Sequence, residues 1–260
     1  MYVNDEYKKM VAEKVEKIKT KLWLGTVLYY SGAKNPNNLD KRIYELEHGN
    51  TKNYISQSRI WYRYEKAEDI PRLNTVERRN KILPNTAYYF NHPFWAILSY
   101  DSYSFLDINR LISNLDPCIM GRILYIEEIG GSILKRAPTT KKLLHEIEAS
   151  NSLDVLMVTF LLYSEAIDQN DSKRYLILNF AEKYIKKLQR SPELRFTQNI
   201  VFEFILNFFT SLEQKNELNF IHKEDYEIYK KIKMMAPIIY SKQDRYDAVC
   251  AFNKIRDFYD

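Results

Sequence analysis

Apolar residues in the first thirty positions fall on one helical stripe, because Val11, Val15, Ile18, Leu22, Gly25 and Tyr29 recur at alternating spacings of four and three. The pattern predicts a helix from about Asp5 to Tyr30. Glu13, Lys14, Lys17 and Lys19 keep its first half polar on the other faces, whereas Trp23, Leu24, Val27 and Leu28 make the second half apolar nearly all round. That second half is expected to be enclosed by other elements.

The segment Ser31 to Asn38 contains Gly32, which permits a left-handed turn, and Pro36, which cannot continue a helix. A second helix is expected over Leu39 to His48, closing at Gly49 and Asn50. Turn signals follow at Leu83-Pro84-Asn85-Thr86 and at His92-Pro93, where proline suits the first position of a new helix.

From Phe94 onward the pattern reads as successive helices, broken near Asp116-Pro117, Gly130-Gly131, Ala137-Pro138, Gln169 to Asp171, Ser191-Pro192 and Pro237. Glu127 and Glu128 are expected on a helix that the glycine pair ends. Ser191-Pro192-Glu193 has the composition of a capped helix start. Leu153–Ile167 and Ile200–Leu212 are apolar on more than one face, as central helices of a bundle are. Successive helix pairs share no signature, so no repeat is read.

Six glycines and eight prolines among 260 residues are too few for a many-stranded protein. The expected fold class is therefore all-α: a small N-terminal helical module over residues 1–90, then a larger multi-helix bundle or array over 91–260. With 45% hydrophobic and 28% charged residues the chain is globular, and its 21 tyrosines and 13 phenylalanines are expected in helix-packing cores. Met1 to Met10 carries no apolar stretch of a targeting signal, and runs such as Leu156 to Tyr163 are too short for a bilayer. The expectation is a cytoplasmic protein with no membrane contact, in which Cys118 and Cys250 stay free thiols.

Candidate chemistry is sparse. His48, His92, His145 and His222 stand alone, outside any zinc-ligand spacing, so no metal site is expected. His145 with Glu146 and Glu148 suits the exposed face of a surface helix better than an acid–base pair. No phosphate-cradling glycine loop, dinucleotide fingerprint or nucleophile elbow occurs, and the reading is a non-enzyme without cofactor. The aromatic run Tyr88, Tyr89, Phe90, Phe94, Trp95, Tyr100, Tyr103 and Phe105 has only Arg110 as a nearby cation, which favours core packing over base stacking.

Charge is unevenly placed. Lys52 to Lys81 holds eight lysines and arginines against four acids, an excess of +4 that accounts for most of the chain's +5. Such a cluster attracts phosphates, and a solvated charged helix has the same composition. Within it Ile55, Ser56, Tyr64, Glu65, Pro71, Thr75 and Val76 are spaced as in the second half of repressor-type (Xre-like) helix-turn-helix domains, so residues 55–76 resemble that family. Ala67 stands where the family has glycine, Trp61 replaces a small aliphatic residue, and Gly49-Asn50 replaces a leucine-alanine pair.

The resemblance implies that Ser56 caps a recognition helix and that Gln57, Ser58, Arg59, Tyr62 and Arg63 face the major groove or its phosphates, with Arg78 a further cation of the cluster. It implies DNA as a partner and a dimer or larger complex, since a lone half-site binds weakly. Two functions follow. One is a DNA-associated regulator of a bacterium or mobile element, with the body for assembly or sensing. The other is a helical interaction protein in a multi-component complex of the phage-defence or toxin–antitoxin kind, with the 55–76 tract structural.

Overall fold

The computed structural model describes residues 5–219 apart from 53, 57, 99–107, 109–110, 113–114, 129–131 and 151. Helices hold 74% of the described residues, which makes the chain a helical protein. In chain order come α1 (Asp5–Ser31), α2 (Pro36–His48), α3 (Ser58–Lys66), α4 (Leu73–Ile82), α5 (Thr86–Asn91) and α6 (Phe94–Ile97). Then follow α7 (Pro117–Ile123), β1 (Leu124–Glu128), β2 (Ser132–Arg136), α8 (Lys141–Glu148), α9 (Leu153–Asp168), α10 (Lys173–Gln189), a 3-10 turn (Pro192–Leu194) and α11 (Asn199–Asn219). Residues 1–213 form one compact unit and 214–260 a second, of which only 214–219, the end of α11, are described.

Two hydrophobic cores share α1. Its second half brings Trp23, Leu24, Val27 and Leu28 to a core completed by α2, α3, α4 and α5 through Leu39, Ile43, Trp61, Tyr64, Val76 and Phe90. Its Val15, Ile18 and Leu22 join the larger core, which α9 crosses buried on nearly every face. The all-round apolarity read from α9 and from the end of α1 is thus burial on all sides. Phe90 belongs to the first core and Phe94 and Trp95 to the second, with Tyr89 packed against the second, while Tyr88 is exposed. Tyr100, Tyr103, Phe105 and Arg110 lie outside the described residues.

Three helices end in the same bonded turn, in which a left-handed residue lets two amide N–H groups reach back to the last free carbonyls. After α1, Gly32 (φ 72°) donates to Tyr29 O and Ala33 to Leu28 O. After α9, Asn170 (φ 51°) donates to Ile167 O and Asp171 to Ala166 O. After α3 the left-handed residue is Ala67 (φ 52°), with Ala67 donating to Tyr64 O and Glu68 to Arg63 O.

Two local expectations are corrected. Glu127 and Glu128 lie on a strand, since β1 and β2 form an antiparallel hairpin that pairs Leu124 with Arg136 and Glu128 with Ser132. A glycine pair between runs that contain isoleucine is as much a hairpin signal as a helix stop, and here pairing between the two adjoining strands decided it. Gly130 and Gly131 themselves lie outside the described residues. Ser191 opens only a 3-10 turn, with no side-chain capping bond, and α11 begins at Asn199. The turn stays tight because Leu194 is buried and Thr197 packs on α1, where a Cβ built on Gly25 would meet Thr197 Oγ1 at 2.4 Å.

Candidate nucleic-acid interface

Helix α3 is short, and both its ends are tied down from outside. At its start the Ser58 N–H donates to Ser56 Oγ at 3.4 Å. At its end the Ala67 turn satisfies the carbonyls of Arg63 and Tyr64, and Lys21 of α1 donates its ammonium to Glu65 O at 2.8 Å. Lys21 also reaches Gln198 Oε1 at 2.7 Å. Burial pulls the Lys21 pKa down, and Glu65 opposes that shift.

The inner face of α3 is set by aromatic packing. Trp61 stacks on Trp23 with centroids 6.1 Å apart, and Tyr64 meets both tryptophans edge-on. Asp40 of α2 accepts from Trp61 Nε1 at 3.2 Å and from Tyr54 Oη at 2.7 Å, so one carboxylate holds both α3 and the connection before it. That connection runs from Gly49 to residue 57, nine residues, against the 3–4 of a helix-turn-helix turn.

With Trp61 and Tyr64 inward, 3.6 residues per turn place Arg59, Tyr62, Arg63 and Lys66 on the opposite, solvent face of α3. The structure thus brings Ser58, Arg59, Tyr62 and Arg63 together on one exposed helix, and Gln57 lies outside the described residues. Arg59 has no ion-pair partner among the described residues. Arg63 binds Asp69 at 2.7 Å, and Lys66 stands 3.9 Å from Glu68.

Arg78 sits on α4 and is tied to α2. Its Nε and Nη2 donate to Glu47 Oε1 at 3.2 and 3.1 Å, and Arg79 Nη1 donates to the same oxygen at 2.6 Å. The Arg79 guanidinium lies 5.5 Å from the Trp61 ring centroid. Burial lowers the Arg79 pKa, and Glu47 pulls it back up. Ile55, which is 80% exposed, and the half-exposed Ile60, Ile70 and Leu73 lie on the same tract.

Glu47, Asp40 and Lys21 were not legible as partners of this region, because each acts across 14 to 44 residues of chain. Elsewhere, His145 is exposed and stands 3.5 Å from Glu148, a surface pair. A cleft of about 380 Å³ opens between the end of β2 and the α9–α10 corner, lined in part by the paired Arg136 and Glu165. Among the described residues no three His, Cys, Asp or Glu side chains gather as metal ligands, and no helix is long and apolar enough to cross a membrane. Cys118 is an exposed free thiol, and Cys250 lies outside the described residues. No protein family, no curated protein and no solved structure matches the chain.

Proposed function

We propose that this chain is a DNA-associated regulatory protein that lays the solvent face of α3 against duplex DNA. The observation that carries this reading is the placement of Arg59, Tyr62 and Arg63 opposite the Trp61 and Tyr64 core, on a helix fixed at both ends. A rigid helix with outward cations meets the requirement for groove or phosphate contact. The left-handed Ala67, where repressor-type domains have glycine, adds support for the resemblance of residues 55–76. A bacterial or mobile-element setting rests on that resemblance, a cytoplasmic location on the lack of a readable targeting stretch in Met1 to Met10, and the helical body would serve assembly or sensing.

The double variant Arg59→Ala/Arg63→Ala tests the reading by fluorescence anisotropy with a labelled mixed-sequence duplex. Weaker binding at unchanged helicity and oligomeric state supports it. Binding as tight as the parent's, or a parent that binds no duplex, overturns it.

A second reading is favoured by one observation, the exposed Ile55, Ile60, Ile70 and Leu73. Apolar residues interleaved with arginines also suit a protein interface, which would make the chain an interaction protein of a multi-component complex. Association through that surface would be far less sensitive to salt than DNA binding.

A further inference from the structure

Glu47 faces two cations with one charge. Its carboxylate is 16% exposed and is shared by Arg79, 15% exposed, and Arg78, 65% exposed. Arg79 cannot leave, since its guanidinium lies over the Trp61 ring and would be stranded without its carboxylate. Arg78 is different. Its bonds to Glu47 span 3.1 to 3.3 Å against 2.6 Å for Arg79, and most of its side chain is in water. When Arg78 swings away, Glu47 keeps its shorter bond, and no buried charge is left unpaired.

The pair Arg63–Asp69 lacks this property. Asp69 has Arg63 as its ion-pair partner at 2.7 Å through Nη2 alone. Arg63 therefore meets DNA with Asp69 still bound to it, because exchanging Asp69 for a phosphate would leave a bare carboxylate beside a polyanion. The Arg78–Glu47–Arg79 group carries a net positive charge whose exposed member is Arg78.

We infer that Arg78 is a phosphate-binding residue for nucleic-acid backbone, held ready on Glu47 and released from it on binding, with Arg79 the positioning residue that keeps Glu47 neutralised in both states. The inference rests on the DNA-associated reading and deepens it by naming a phosphate contact on α4, separate from the α3 face. Exposed ion pairs are weak enough to be exchanged for a phosphate, and each phosphate neutralised adds about 0.9 to the slope of log affinity against log salt.

The test measures that slope with the full chain and a labelled mixed-sequence duplex, for the parent, Arg78→Ala, Arg78→Lys, Glu47→Gln and Arg78→Ala/Glu47→Gln. Arg78→Ala is expected to flatten the slope by about one, and Arg78→Lys to keep it, because a point charge suffices for a phosphate. Glu47→Gln is expected to tighten binding only while Arg78 is present, and a general loss of negative charge would tighten it equally on the Arg78→Ala background. A parent that binds, with an Arg78→Ala slope unchanged or a Glu47→Gln gain that survives in the double variant, overturns this inference alone. A parent that binds no duplex overturns the function reading with it. Circular dichroism on each variant confirms that folded proteins are compared, and the Arg78 pair, being surface changes, decides the matter should Glu47→Gln unfold.

Discussion

Trp61 of α3 stacks on Trp23 of α1, their ring centroids 6.1 Å apart and their planes inclined by 28°. The contact joins a helix of 27 residues to one of nine, too short to persist alone in water. Trp61 also donates to Asp40 and lies beneath Arg79, so its ring supports both the inner packing of α3 and the Glu47 charge group. Trp61→Ala is expected to cost roughly 3–5 kcal/mol of stability, read by urea denaturation. A loss under about 1 kcal/mol would mean that α3 is held by its end contacts instead.

Gly32 and Ala67 make the same pair of carbonyl bonds at the same left-handed geometry, but only Gly32 does so without steric penalty. A Cβ built on Gly32 meets nothing within 4 Å, so Gly32→Ala isolates backbone strain from crowding. The expected loss is about 1 kcal/mol in thermal or urea unfolding, the left-handed penalty less the entropy gained in the unfolded chain. No loss would show that alanine sits in this turn unstrained, and Ala67 would then need no outside anchor such as Lys21.

Much of this architecture is legible in the sequence where a local pattern has one physical meaning. The four-three spacing of α1 gave its bounds to within a residue, and Gly32, Gly49 and Asn85 mark turns that the chain takes with positive φ. The sequence pattern is ambiguous where two local meanings compete: a glycine pair stops a helix or joins two strands, and Ser191-Pro192 starts an α-helix or a single 3-10 turn. Pairing of the adjoining strands β1 and β2 decided the first, and packing of the distant Gly25 against Thr197 bears on the second. In the candidate interface the exposed cations could be named from spacing, whereas Glu47, which holds Arg78, depends on tertiary contact, and Asp69 reaches Arg63 through the turn at Ala67.

Gly25 lies where α1 meets the segment before α11. Its Cβ would stand 2.4 Å from Thr197 Oγ1 and 2.9 Å from the Thr197 backbone nitrogen. A side chain can rotate, but a backbone nitrogen must move with its chain. Gly25→Ala is expected to lose about 1–3 kcal/mol despite alanine's better helix propensity, with Thr197→Ala restoring only part of the loss. A stabilised Gly25→Ala would show that helix propensity outweighs this contact.

His92 and Asp154 join α5 to the start of α9. The Phe94 N–H donates to His92 Nδ1 at 3.1 Å, which leaves Nε2 as the protonated nitrogen facing Asp154 Oδ1 at 3.2 Å, and Tyr88 Oη donates to the other carboxylate oxygen. Burial raises the Asp154 pKa, but the His92 and Tyr88 interactions outweigh it and hold the carboxyl below its ordinary value. A depressed folded-state value means that ionised Asp154 stabilises the fold above the unfolded pKa of about 3.9 and that this contribution is lost as pH falls through the lower folded value. The stability difference between the parent and Asp154→Asn should therefore be constant near neutrality and shrink below about pH 4. A difference that does not change with pH would contradict this linkage.

The most direct test of the proposed DNA contact is the salt dependence of duplex binding by the unaltered chain, followed by anisotropy as potassium chloride is raised. Each phosphate neutralised contributes about −0.9 to the slope of log affinity against log salt. With Arg59 and Arg78 as phosphate contacts, the slope is expected to be roughly −2 or steeper, and Arg59→Ala and Arg78→Ala should each make it shallower by about one. Absence of binding at low salt, or binding whose strength does not change with salt, would contradict the DNA reading and favour a protein partner for the α3 surface.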